Sequence, residues 1–259
     1  MTWWEGVVLG VVQGLTEFLP VSSSGHLVIS ESLLGLAPPG VFFEVAVHVA
    51  TLAAVVVVYA GRLRELVLGL AGDPAARRYV LLLVIASAPL VLGAVFKDFF
   101  ERVFHSLPLV GVDLLLTGCF LWSTRYVRHA ERPHPTPGGA LGIGFAQVAA
   151  ILPGISRSGA TVTAAMWLGV EPVKAAEFSF LMALPAILGA AALQVPDLAH
   201  GAPAVGAVPL ALAFLAALVS GIVAIRLLVA LLARRAFYRF APYCWVVGAA
   251  ALAWGFVGR

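Results

Sequence analysis

The apolar residues of this 259-residue chain fall into ten runs separated by short polar stretches. Six of them, residues 41–60, 79–96, 107–124, 175–195, 205–233 and 240–257, reach or approach the roughly 17 to 25 residues that a spanning helix needs. The pattern predicts a transmembrane helix over each. The other four are short: residues 3–19 stop at Pro20, 26–37 before Pro38, 140–152 at Pro153, and 159–170 before Pro172. They form two helix–loop–helix pairs, each broken at its middle by a proline and small polar residues. Proline lacks an amide donor and clashes with the preceding turn, so each break leaves backbone groups unpaired. Irregular backbone at membrane depth survives only where protein or a water-filled cavity surrounds it. Two re-entrant hairpins are therefore expected, with their tips meeting inside the protein.

Composition agrees with the bilayer as solvent. The chain is 61% hydrophobic and 11% charged, against about 25% charged residues in a soluble domain. The fold class this implies is an all-α polytopic membrane protein, a single integral domain over residues 1–259. The opening "MTWWEGVVLG" lacks a basic region and a small-residue cleavage site, so the first segment is expected to be retained. Cys119 and Cys244 lie in apolar runs without metal-ligand spacing, which argues against a disulfide framework. The net charge of +3 comes from scattered basic residues, so nucleic acid is not an expected partner.

The arginines set a sidedness. Arg62, Arg64, Arg77 and Arg78, then Arg125, Arg128 and Arg132, then Arg226, Arg234, Arg235 and Arg239 mark three basic connections, whereas the opposite ones carry only Lys97 and Arg102. The positive-inside rule makes the basic connections cytoplasmic. Both termini and the opening of the first hairpin then lie on the outer side, and the second hairpin enters from the cytoplasm. An internal repeat fits this inversion: "FLPVSSSG" (18–25) parallels "ILPGISRSG" (151–159), with Gln13 and Gln147 upstream. About nineteen residues after each motif glycine an acid lies beside phenylalanine, Phe43 and Glu44 in one half, Glu177 and Phe178 in the other. The pseudo-repeats run over about 1–124 and 140–259, joined by a Pro- and Gly-rich linker, 125–139. Inverted repeats with broken helices place sites at the repeat interface.

The chemistry is concentrated in the two breaks. Gln13 and Glu17, four residues apart, project from one helix face. A carboxylate at the bilayer centre costs roughly 2.5 to 3.5 kcal/mol, and Arg157 of the other break offers an opposite charge. Glu17 is thus a structural ion-pair partner of Arg157, a functional group, or both. Ser22, Ser23, Ser24 and Gly25 follow Pro20, where hydroxyls and free amides cap a helix start and receive anions. His26, three residues beyond Ser23, titrates near physiological pH. Arg157, with Ser156, Ser158 and Thr161 around it, presents a fork matched to phosphate oxygens. Hydroxyl, imidazole, carboxylate and guanidinium together describe an intramembrane anion site with acid–base groups. Glu44 and Glu177 read first as solvated helix ends, and His48, four beyond Glu44, as its partner. Trp3, Trp4, Trp245 and Trp254 read as interfacial or packing aromatics.

"QGLTEFLPVSSSGH" (13–26) and "LPGISRSGAT" (152–161) resemble the two signature motifs of the bacterial undecaprenyl-diphosphate phosphatase family, also called bacitracin-resistance proteins. "FEVAVHVATLAAV" and "EFSFLMALPA" extend the likeness along the chain. The resemblance implies a multi-pass enzyme of the bacterial inner membrane that converts undecaprenyl diphosphate to undecaprenyl phosphate, with Mg2+ or Ca2+ as cofactor. Glu17, Ser23, His26 and Arg157 fall on the positions this family is thought to use for catalysis. Gln13 occupies a site where the family has Glu or Gln, which leaves Glu17 as the metal ligand to expect. Gln13, Ser22, Ser24, Ser156, Ser158 and Thr161 are the expected diphosphate-binding set. Ser23 could attack phosphorus with His26 as base and Glu17 orienting the imidazole, or merely bind phosphate while water attacks. A second class of function, carriage of undecaprenyl phosphate across the bilayer, suits the same inverted architecture. Oligomeric state is open, a homo-oligomer included.

Overall fold

The computed structural model describes residues 1–36, 40–95, 106–128, 130–193 and 205–257. Among these, twelve α-helices follow one another: α1 (Trp3–Phe18), α2 (Ser23–Leu34), α3 (Val41–Val58), α4 (Ala60–Gly69), α5 (Pro74–Ser87), α6 (Val91–Val95), α7 (Leu107–Ser123), α8 (Pro137–Ala149), α9 (Arg157–Trp167), α10 (Pro172–Leu193), α11 (Ala207–Ala233) and α12 (Ala241–Val257). One isolated bridge, Arg132 with Val170, is the sole β pairing among the described residues. Lys97, Arg102 and the distal ends of the runs 79–96 and 175–195 lie outside them.

Local chemistry starts these helices. Asp73 accepts from the Ala75 amide at 2.8 Å with Pro74 in the first turn of α5. Thr136 accepts from Gly139 at 3.1 Å ahead of Pro137 in α8. Both follow from proline's preset φ and missing amide at a helix start.

Four stretches are long and apolar enough to cross a membrane: Pro74–Gly93, Leu107–Tyr126, Pro172–Gly189 and Ala207–Ala233. The α3–α4 pair, bent by 75°, makes a fifth candidate. The protein is a multi-pass membrane protein, and apolar side chains such as Leu116, Phe120, Val219 and Val246 stand exposed on its flanks. Residues 61–78, read from sequence as a polar connection, contain a helix. Leu66 of α4 is buried in the core while Arg64 and Glu65 face outward, so the segment is amphipathic rather than unstructured.

Helix α1 carries half of the polar cluster, and a row of glycines seats it. Gly6, Gly10 and Gly14 meet Pro209, Ala213 and Ala217 of α11 so closely that a Cβ at any of the three would collide with a backbone carbonyl oxygen. Small residues at four-residue spacing let two helix backbones approach in the absence of water. Below this contact Phe18 packs edge-on against Phe180, ring centroids 5.3 Å apart.

The two proline breaks touch. Ser22 Oγ of the first accepts from the Gly154 amide of the second at 3.1 Å, and Ser158 Oγ donates to the Leu19 carbonyl at 3.3 Å. Two outer helices hold the breaks from behind. Thr117 of α7 donates to the Gly154 carbonyl at 2.9 Å and accepts from the Ser156 amide at 3.1 Å. Cys244 of α12 donates to the Pro20 carbonyl at 3.5 Å. The buried backbone groups released by the prolines thus find partners.

Candidate active site

Each break ends in the same device. Ser22 caps α2 by accepting from the Gly25 amide at 3.4 Å, and Ser156 caps α9 by accepting from Gly159 at 3.1 Å. In each, the capping hydroxyl also meets the serine two residues on, Ser24 at 3.4 Å and Ser158 at 3.2 Å. Ser22 adopts φ of 70°, a left-handed conformation costly for a residue with a Cβ. The two Ser-X-Ser-Gly turns differ at X, the first residue of the helix: Ser23 in one, Arg157 in the other.

Both X residues converge on Glu17. Its Oε2 accepts from Ser23 Oγ at 2.5 Å and from Gln13 Nε2 at 3.0 Å, and its Oε1 accepts from Arg157 Nη2 at 2.5 Å. Three donors and no acceptor surround this buried carboxylate, the setting of an ionised group held by charge-assisted hydrogen bonds. Arg157 Nη1 is buried and has no partner among the described residues. A buried guanidinium donor left unpaired is costly, and it marks where a further acceptor belongs.

A cavity of about 330 Å3 opens beside the cluster, lined by Glu17, Ser22, Ser23, Ser24, Ser156 and Arg157, by Glu44 and His48 of α3, and by apolar residues including Val45, Ile151, Ile155 and Ile187. Glu44 and His48 are thus neighbours of the cluster and not merely a helix end with its partner. His48 Nδ1 lies 2.7 Å from the Glu44 carbonyl oxygen. A carbonyl only accepts, so Nδ1 is the donor in this contact and Nε2 is the nitrogen left to face other partners.

Other expected site residues lie elsewhere. Gln13 sits fully buried behind Glu17. Ser158 and Thr161 do not line the cavity; Thr161 donates to the Arg157 carbonyl at 2.7 Å and pairs with Ser179 at 2.7 Å, which fixes α9 against α10. His26 also lies away from the cavity. Its Nδ1 meets the Ser22 carbonyl and its Nε2 the Tyr243 hydroxyl, each at 2.8 Å, with the two rings stacked 5.7 Å apart. Both imidazole nitrogens are engaged, and neither by Ser23. Glu177, rather than being a solvated end, is buried and paired with Arg62 and Lys174, each at 3.0 Å.

Two residues passed over in the sequence also matter here. Asp113, buried in α7, borders Gly154 of the second break, and Oδ2 has no partner among the described residues. A lone acid inside the run "LVGVDLLLTG" is a legible signal, because ionisable groups at membrane depth are seldom idle. Thr117, one helical turn further, holds the break itself. Among the described residues no group of three or more His, Cys, Asp or Glu side chains is placed to hold a metal ion.

The model of the family described as bacitracin resistance protein BacA matches residues 6–250. The chain belongs to this family. All members of the Glu17 cluster lie within the matched stretch. A protein of Desulfatibacillum aliphaticivorans named undecaprenyl-diphosphatase is 42% identical, the alignment covering 99% of this chain and 100% of that protein. One of the same name from Syntrophotalea carbinolica is 43% identical over 96% of this chain and 97% of its own length. Another from Parabacteroides distasonis is 39% identical over 98% of each. The family match therefore spans nearly the whole chain, with both polar breaks included.

Proposed function

We propose that the chain hydrolyses undecaprenyl diphosphate to undecaprenyl phosphate and inorganic phosphate, renewing the lipid carrier of cell-wall polymer synthesis and conferring bacitracin resistance. The relatives' shared name supports the reaction. The observation that carries it to this site is Ser23 donating to Glu17 while Arg157 holds Glu17 and keeps Nη1 unpaired beside the cavity.

In this reading the terminal phosphate enters between the starts of α2 and α9, whose first amides and Arg157 Nη1 receive its oxygens. Ser23 Oγ attacks the terminal phosphorus as its proton passes to Glu17 Oε2. The bond from phosphorus to the bridging oxygen breaks and undecaprenyl phosphate leaves. Water then cleaves the phosphoserine, releasing inorganic phosphate and returning the proton to Ser23. Glu17 takes the role of base that the sequence suggested for His26, because it already accepts the Ser23 hydroxyl. His26 positions the turn through the Ser22 carbonyl, and His48 Nε2 is left to face the attacking water. Residues such as Val45, Ile151 and Ile187 make an apolar wall for the prenyl chain.

A hard divalent ion is bound through one or two carboxylates together with substrate phosphates. Glu44 is the carboxylate suited to hold Mg2+ or Ca2+, since the two oxygens of Glu17 are taken by Arg157, Ser23 and Gln13. When bound, the ion would offset the negative charge of the diphosphate.

The purified chain in detergent is expected to release inorganic phosphate from undecaprenyl diphosphate, and more of it with Mg2+ or Ca2+ than with chelator. Transport alone would yield no phosphate there, and that outcome would favour the carrier reading that the paired breaks also suit.

The topology in this proposal has six spans, α3, α5, α7, α10, α11 and α12, with re-entrant hairpins α1–α2 and α8–α9 in two inverted halves, 1–124 and 140–259, around the linker 125–139. The matching Ser-X-Ser-Gly caps support the repeat. The arginine-bearing ends also gather: Arg62, Arg78 and His134 line one cavity, and Arg125, Arg128 and Arg235 another. With that end cytoplasmic, the catalytic cavity opens outward from the bacterial inner membrane. A Ser24→Cys probe, with Cys119 and Cys244 removed, should react with an impermeant thiol reagent added outside intact cells. Reaction only after the inside is exposed would reverse the orientation.

A further inference from the structure

Opposite in character to the catalytic cavity, a second one of about 280 Å3 lies where the ends of α7 and α11 meet the start of α10. Arg125, Arg128 and Arg235 line it, with Thr124, Phe237 and Tyr238, and among the described residues no acidic side chain does. Among the described residues none of the three arginines forms an ion pair. Glu171, next to Pro172 at the rim, is turned to the amides of Val173 and Lys174, at 3.2 and 3.0 Å. The three arginines, all solvent-exposed, make the hollow cationic, and an anion among them would offset their mutual repulsion.

The backbone adds a separate sign. Helix α11 ends with the Arg235 amide donating to the Leu232 carbonyl and the Ala236 amide to Leu231, each at 2.9 Å, a closure that puts Arg235 in the left-handed region at φ 52°. That position is normally glycine's. An arginine there accepts backbone strain that glycine would avoid.

The surroundings identify the anion's carrier. Arg125 lies over the Trp122 ring at 4.4 Å and near the Tyr126 ring at 5.3 Å, and Trp122 meets Tyr238 edge-on at 5.9 Å. Tryptophan and tyrosine of this kind mark the headgroup level of a bilayer. Leading away from the cavity along α7, Phe120, Leu116 and Val112 are all exposed at four-residue spacing, a continuous apolar stripe. A phosphate lodged among the arginines would have its acyl chains on that stripe. Basic pockets between helix ends on the cytoplasmic side suit lipid phosphates.

We propose that this cavity is a binding site for the phosphate headgroup of an anionic glycerophospholipid, distinct from the catalytic cavity and independent of the hydrolysis it performs.

The test titrates the intact, detergent-purified chain with phosphatidylglycerol, phosphatidylcholine or inorganic phosphate, followed by native mass spectrometry and thermal melting. Phosphatidylglycerol is expected to bind at least about tenfold more tightly than phosphatidylcholine and to raise Tm, and the R128Q/R235Q variant should lose that preference. Arg235→Gly separates binding from folding: relief of the left-handed strain should hold or raise Tm in lipid-free detergent while the response to phosphatidylglycerol falls. Equal binding of the two lipids, an unchanged preference in R128Q/R235Q and Arg235→Gly, or displacement of phosphatidylglycerol by millimolar inorganic phosphate would each overturn the assignment.

Discussion

Arg157→Ala is expected to lower kcat/KM for phosphate release from undecaprenyl diphosphate by about 10²- to 10³-fold, the usual effect of removing one donor from a developing oxyanion. Two effects add in this variant. The phosphate loses the donor Nη1, and Glu17 loses the partner of its Oε1. Leaving a buried charge unpaired costs about 3 to 5 kcal/mol in stability, so Tm should fall as well. A double variant, Glu17→Gln with Arg157→Ala, separates them: Tm should recover because no orphan charge remains, while activity stays lost. Recovery of activity with Tm would make the pair purely structural. Retention of more than a tenth of wild-type kcat/KM by Arg157→Ala would remove the phosphate-binding role.

Ser23→Ala should reduce kcat by at least about 10³-fold if Ser23 is the nucleophile. Tm should fall less than in Arg157→Ala, because Glu17 keeps Arg157 and Gln13 and loses only one hydrogen bond to a charged group, about 1.5 to 3 kcal/mol. This divergence between Tm and kcat is the signature that a structural serine would not produce. Rapid quench of the wild type should trap phosphate on Ser23. Absence of phosphoserine, together with Ser23→Ala turnover within tenfold of wild type, would instead make Ser23 a phosphate ligand and water the nucleophile. His26→Ala provides a contrast, since loss of a positioning contact to the Ser22 carbonyl should lower kcat less than loss of Ser23 does.

Much of this was written along the chain. Proline placed the helix breaks, since Pro20 and Pro153 follow the ends of α1 and α8 within a few residues, and serine caps restarted α2 and α9. Both are effects of neighbouring residues on φ and on local amides. The glycines at 6, 10 and 14 were equally legible as a close-packing row, and Asp113 as an isolated acid in an apolar run. Helix α4 was not: its three charges outweighed Leu63 and Leu66 in composition, whereas burial of one face decides a helix of that length.

The angular positions around each break depended on packing. Ser23 and His26 are three residues apart, about 60° around a helix, too close for sequence to say which of them faces the carboxylate. The contact with Tyr243 of α12, more than two hundred residues away, turns His26 from the cavity and leaves Ser23 to Glu17. Likewise α3 brings Glu44 and His48 to the site only because it packs on α11, which α1 joins through its glycine row. Sequence by itself determined the membrane solvent, the breaks and the reactive residue types, because these follow from hydrophobicity and short-range backbone chemistry. Tertiary structure decided which of those residues share one cavity, because that depends on how helices distant in sequence rotate and approach when their side chains pack.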